Sequence, residues 1–218
     1  MLAIRVRFKK EGRARYISHL DLNRVMQRAL RRANIPIWRT QGFNPHPYLV
    51  FALPLSLFYE SDCECMDARL DADMPFEEVR ARLNAQMPDG ITVTSVAPPR
   101  MKLTEIAYAS YLTELDFGGL PAETLQQAVD ALLQREELSV EKKTKRGSYP
   151  VDVLPYLKNG TVEVREGTVA VTAVLPAGTA QNLNPSCFAQ AFEQYAFAPR
   201  FEQARRLEIF NTDMEPFA

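Results

Sequence analysis

The chain has 218 residues, 46% of them hydrophobic and 24% charged, with a formal net charge of −1; this is ordinary for a soluble globular protein of one large domain or two small ones. It holds no run of about 18 apolar residues, which excludes a membrane-spanning helix, and it opens on alternating residues where a signal peptide would be apolar, so a cytoplasmic protein is expected. Three cysteines exclude a disulfide framework: Cys187 is remote, and Cys63 with Cys65 share one strand face, which would suggest a metal only if other ligands converged, so ordinary burial is expected.

Residues 1–10 read as a strand with Leu2, Ile4, Val6 and Phe8 on one face and Arg5, Arg7 and Lys9 on the other. Ser18 followed by Asp21 resembles a capping box, since the hydroxyl can accept an early backbone N–H and the carboxylate sits where the helix dipole favours negative charge. Leu22, Val25, Met26, Ala29, Leu30 and Ala33 then recur at helical spacing, which predicts a helix over 18–34 that ends before Pro36. Arg24, Arg28, Arg31 and Arg32 fall largely off that stripe and make the other face cationic.

Residues 41–47 (Gln-Gly-Phe-Asn-Pro-His-Pro) cannot form a regular element, because two prolines flank a histidine and Gly42 frees the backbone; a stiff surface loop displaying Phe43, Asn44 and His46 is expected. Short strands near 35–40 and 48–55, a strand over 63–70, a helix over 75–83 and a strand over 91–96 follow. Strand, helix, strands, helix, strand is the split βαβ, ferredoxin-like pattern.

Pro98 and Pro99 mark a boundary, giving an N-terminal unit of residues 1–98 and a C-terminal unit of 99–218. The second half repeats the alternation: a strand over 108–117, a helix over 121–135, a strand over 138–144, a short helical turn within 149–157, a hairpin over 161–175, a helix over 184–195 and a strand over 203–211. The expected class is therefore α+β, with two consecutive ferredoxin-like units built on antiparallel sheets.

Charge is segregated along the chain. Residues 1–50 carry eleven Lys or Arg against Glu11 and Asp21, a local charge of +9 in a nearly neutral protein, and such a local field favours a polyanionic partner. A second basic group, Lys142, Lys143, Lys145 and Arg146, precedes Gly147, as in a phosphate-contacting loop, and Arg205 and Arg206 are placed to extend it if the two halves face one another.

The segments 16–21, 28–33, 41–47 and 51–55 together resemble the bacterial radical-SAM-linked proteins of unknown function, a family found beside a radical SAM enzyme or fused to its C-terminus. The resemblance implies association with radical SAM chemistry on RNA. The chain itself lacks the cysteine triplet spaced three and two residues apart that holds the iron–sulfur cluster, and it lacks phosphate-cradling and dinucleotide glycine motifs. No cofactor or metal is expected on it; S-adenosylmethionine and the cluster are expected on a partner enzyme. At the level of fold alone, the double unit is also similar to CRISPR repeat-associated endoribonucleases.

Three readings follow. In the first, the chain is a non-catalytic RNA-binding or substrate-presenting accessory: Arg24, Arg28, Arg31, Lys142, Lys143, Lys145 and Arg146 contact phosphates, Phe43 and Tyr16 stack on unpaired bases, and Asn44 and His46 read a base or ribose edge. In the second it is a metal-independent endoribonuclease with His19 and His46 as base and acid, imidazole being the side chain that titrates near neutrality. The third is a protein–protein adaptor, because an arginine face serves carboxylates as well as phosphates.

Overall fold

The computed structural model describes residues 1–144, 147–178 and 181–218, with the main chain alone at 143 and 144. Two compact units form: residues 1–106 together with 208–218, and residues 107–207. Both mix helices with antiparallel strands, and the described residues include five α-helices.

The first unit runs β1 (Leu2–Lys10), α1 (His19–Arg32), β2 (Leu49–Phe51), β3 (Glu60–Leu70), α2 (Phe76–Asn84) and β4 (Ile91–Ala97). Its strands stand in the order β4-β1-β3, all antiparallel, with β2 on the other edge of β3. Register carries the alternation of β1 across the sheet: Ile4 faces Ala68, and Val6 faces both Met66 and Val96. Ile4, Val6 and Phe8 are wholly buried, and α1 closes over them with Leu22, Met26, Ala29, Leu30 and Ala33, as the helical spacing predicts. Truncating any one of the larger of these to alanine would cost roughly 2–5 kcal/mol.

The opposite face of β1 differs from expectation. Arg5 is 3% exposed, not solvated. It donates to both carboxylate oxygens of Asp67 at 2.7 and 2.9 Å and to the main-chain oxygens of Met101 and Ala218 at 2.9 and 2.6 Å. Its guanidinium also lies 4.2 Å from the centre of the Phe217 ring. Arg7 pairs with Glu208 at 2.7 Å. Cys63, Cys65, Ile106, Ile209 and Phe217 make a second small core on this side. The first compact unit extends through Ile106, and residues 208–218 return to it because their apolar and main-chain groups cover the far face of its sheet.

The second unit comprises β5 (Tyr108–Asp116), α3 (Ala122–Leu133), β6 (Ser139–Thr144), β7 (Gly147–Asp152), α4 (Leu154–Lys158), β8 (Thr161–Arg165), β9 (Thr168–Pro176), α5 (Ser186–Tyr195) and β10 (Phe201–Phe210), whose last residues belong to the first unit. Strand order is β10-β5-β9-β8, and β6 and β7 form a separate ribbon. Leu125, Val129 and Leu132 of α3 are buried, as are Val169 and Val171 of β9. The helical turn expected within 149–157 splits into a strand and a short helix. Tyr149 and Pro150 pair with Lys142 and Glu141 in the ribbon. The Asp152 carboxylate then accepts from the Leu138 and Leu154 N–H groups at 2.9 and 3.0 Å, closing the ribbon and starting α4.

Arg5→Ala would leave the half-buried Asp67 carboxylate without its bidentate partner, remove a donor from the Met101 and Ala218 oxygens, and open a cavity in a site that is 3% exposed. A loss of about 3–5 kcal/mol is expected in urea unfolding, and deletion of 208–218 should destabilise the first unit by at least as much. A change below about 0.5 kcal/mol, the level of an ordinary surface substitution, would show that Arg5 is not what holds that face.

Candidate functional site

The basic helix is started as the sequence indicates. Ser18 is the N-cap, its hydroxyl accepting from the Asp21 N–H at 3.1 Å and donating to the Asp21 carboxylate at 2.8 Å. Arg24 donates to the same carboxylate at 3.0 Å. The Ser18 hydroxyl first, and Arg24 second, hold the Asp21 carboxyl below the usual carboxylate range. Arg24, Arg28 and Arg31 are exposed on one face of α1, where residues i, i+4 and i+7 fall on one stripe. Arg32, by contrast, is anchored to Gln86 through its side-chain and main-chain oxygens. Among the described residues Arg28 and Arg31 have no hydrogen-bond or ion-pair partner, so both guanidinium groups are available to a ligand.

Of the two short strands expected after α1, the second is present as β2, while residues 35–40 make only isolated bridges and join it through an irregular hairpin. Ile37 bridges to Leu70 and Arg39 to Pro47, while the Thr40 N–H donates to the His46 main-chain oxygen at 2.9 Å. At its base, Trp38 and Tyr48 meet edge to face at 5.8 Å, with the Arg69 guanidinium 5.6 and 4.6 Å from their ring centres. At its tip Gly42 takes φ 138°, and Phe43 is fully solvent-exposed with a relative accessibility of 106%. Phe43 is thus no anchor for the loop.

The two histidines occupy different settings. His19, in the first turn of α1, is half-buried with its ring edge to face against Phe51 at 5.0 Å. His46 is exposed, and its Nδ1 lies 3.0 Å from the Asn44 main-chain oxygen. The Thr40 hydroxyl lies 3.1 Å from the same nitrogen. The hydrogen bonds of His46 are to its own loop, at Thr40 and Asn44, and none joins the two imidazoles.

A further surface feature has no local mark in the sequence. Tyr16 and Phe58 are 57% and 54% exposed and meet edge to face at 6.0 Å. Phe58 has φ 72°, a conformation that costs a bulky L-residue roughly 1–2 kcal/mol. Its N–H donates to the Arg15 main-chain oxygen at 2.9 Å. Lys10, 2% exposed, donates from beneath to the main-chain oxygens of Arg15 and Tyr59, each at 3.4 Å. The buried ammonium thus ties together the two backbone segments that carry the exposed rings.

In the second unit, Lys142 donates to the Asn182 main-chain oxygen and lies 5.6 Å from the Tyr149 ring centre, so it is engaged internally. Lys145 and Arg146 lie outside the described residues, as does the side chain of Lys143. Arg206 is no surface cation: it is 3% exposed and donates to the Tyr111 hydroxyl at 3.1 Å. A cleft of about 730 Å³ is lined by Lys142, Asn182, Asn184, Ser186 and Gln190. Burial pushes the thiols of Cys65 and Cys187 up to about 12, which disfavours the nucleophilic thiolate. Among the described residues no three His, Cys, Asp or Glu side chains converge as a metal site, and no helix is long and apolar enough to cross a membrane.

Residues 3–185 match the family described as an uncharacterized protein conserved in bacteria (DUF2344). The chain belongs to this family. The matched stretch takes in α1, the hairpin bearing Phe43, the Tyr16–Phe58 pair and the β6–β7 ribbon, and it ends before α5. No curated protein matches the sequence.

Because the folded pKa of Asp21 lies below its unfolded value, the stabilisation from this carboxylate is complete above the ordinary carboxylate range and is lost as pH falls through the lowered value. Ser18→Ala should move the Asp21 midpoint back toward the ordinary range in a carboxyl-carbon NMR titration. A midpoint that does not move would assign the shift to Arg24 instead.

Proposed function

We propose that the chain is a non-catalytic, RNA-binding or substrate-presenting accessory of a separate radical SAM enzyme, acting in the modification or processing of a structured RNA such as tRNA or rRNA. The observation that carries the RNA reading is the exposed arginine stripe of α1, at 24, 28 and 31, in the same unit as the fully exposed ring of Phe43. Cationic side chains meet phosphates, and an aromatic ring in solvent offers a face to an unpaired base. Asn44 and His46, at the same exposed tip, supply hydrogen-bonding groups for a base or ribose edge.

The radical SAM association rests on the resemblance of segments 16–21, 28–33, 41–47 and 51–55. In this reading S-adenosylmethionine and the iron–sulfur cluster belong to the partner, and this chain delivers the substrate. Each unit is also read as a ferredoxin-like fold. The orders β4-β1-β3-β2 and β10-β5-β9-β8 support that reading, with the β6–β7 ribbon as an insertion after α3.

Binding of the purified protein to total bacterial RNA over a salt series tests the proposal. Affinity should fall steeply with salt, and replacing Arg24, Arg28 and Arg31 with glutamate should abolish binding or, through loss of about three phosphate contacts, reduce the logarithmic slope by about 2. Absence of binding at low salt would instead favour an acidic protein surface as the partner of this face.

A further inference from the structure

Resting on that RNA-binding reading, we infer that Tyr16 and Phe58 form a stacking platform that selects unpaired nucleotides in RNA. The strand's phosphates would follow the arginine stripe of α1.

Geometry and charge both point there. Two large rings stand in solvent, edge to face, at the entrance to α1. Immediately beneath them a lysine ammonium is buried, its protons directed to the main-chain oxygens of Arg15 and Tyr59. Hydrophobicity alone would place the rings inside and the charge outside; here the burial is reversed, and Phe58 is held at positive φ in the process. Strained backbone fixed by its surroundings is a recurrent feature of ligand-contacting positions. Leu20, 70% exposed, continues the surface from the rings, because residues 20, 24, 28 and 31 share one helical stripe.

The surrounding charge selects the occupant. Arg13 is exposed, and the Arg15 guanidinium lies 4.9 Å from the centre of the Tyr16 ring while donating to its hydroxyl at 2.8 Å. Asp21, the acidic residue of the first turn of α1, is already bonded to Ser18 and Arg24. An apolar platform bordered by guanidinium groups suits a chain of flat, uncharged bases joined by phosphates. A duplex presents its phosphates equally well but keeps its base faces stacked internally, so it can use the arginines and not the rings.

The test compares a single-stranded oligouridine RNA of about 12 nucleotides, carrying 2-aminopurine at its centre, with a duplex of the same length. Anisotropy reports affinity and 2-aminopurine quenching reports stacking. The single strand should bind at least tenfold more tightly than the duplex. Tyr16→Ala with Phe58→Ala should lose about tenfold or more for the single strand, abolish quenching and leave duplex affinity unchanged. Phe58→Tyr, which keeps a ring, should retain both binding and quenching, and circular dichroism establishes that each variant is folded. Equal affinity for both RNAs, insensitive to ring removal, would overturn the platform while leaving the arginine reading intact. Failure of the unaltered protein to bind either RNA at low salt would overturn both.

Discussion

Burying a guanidinium strips it of water, and the loss is tolerated only where its N–H groups find other acceptors. Arg5 satisfies that condition with a carboxylate and two main-chain oxygens, drawn from β3, from the segment after β4 and from the last residue described. Removing Arg5 would take the charged partner from Asp67 and a donor from the Met101 oxygen, while the Ala218 oxygen keeps the Arg100 and Met101 N–H groups. Both faces of β1 are consequently covered. One side is apolar beneath α1 and α2; the other carries the polar bonds of Arg5 and Arg7 beside the small core of Cys63, Cys65, Ile209 and Phe217. With its sheet shielded on two sides, the first unit offers α1 and the two loops beside it as rigidly supported surface.

Lys10 applies the same physics to a different end. Its ammonium lies in the interior and holds one main-chain oxygen from the segment that bears Tyr16 and one from the turn that bears Phe58. The side chains that ordinarily fill a core project outward instead, at Tyr16, Leu20, Phe43 and Phe58. Such an inversion trades local stability for a preorganised surface, so that a ligand meets rings whose positions are already set.

What could be read in the residues follows the range of the interactions involved. The helix start at Ser18 and the apolar stripe of α1 rest on neighbours three and four positions apart, and both stand as expected. The displayed tip at 41–47 follows from glycine and proline restricting the backbone locally, although the full exposure of Phe43 does not. The burial of Arg5 was hidden because alternation marks which residues are apolar but not what covers the polar ones. Lys142 reads as a free cation until the Asn182 main-chain oxygen, forty positions on, accepts a hydrogen bond from it. Phe58 was invisible for a similar reason: its positive φ is imposed by the oxygen of Arg15, far away in sequence. The β6–β7 ribbon was partly missed because Pro150 argues against a strand, yet a two-stranded ribbon leaves room for a residue without an N–H.

The return of residues 208–218 to the first unit has a consequence during synthesis. Domains generally fold as they emerge, the N-terminal one first, while translation proceeds at about 5–20 residues per second. Here the N-terminal unit lacks Phe217 and the Ala218 oxygen until the entire second unit has left the ribosome. The second unit, continuous over 107–207, has all of its residues first. For several seconds the nascent chain exposes the far face of its first sheet, with Arg5 and the cysteine pair uncovered, so the order of completion runs opposite to the order of translation.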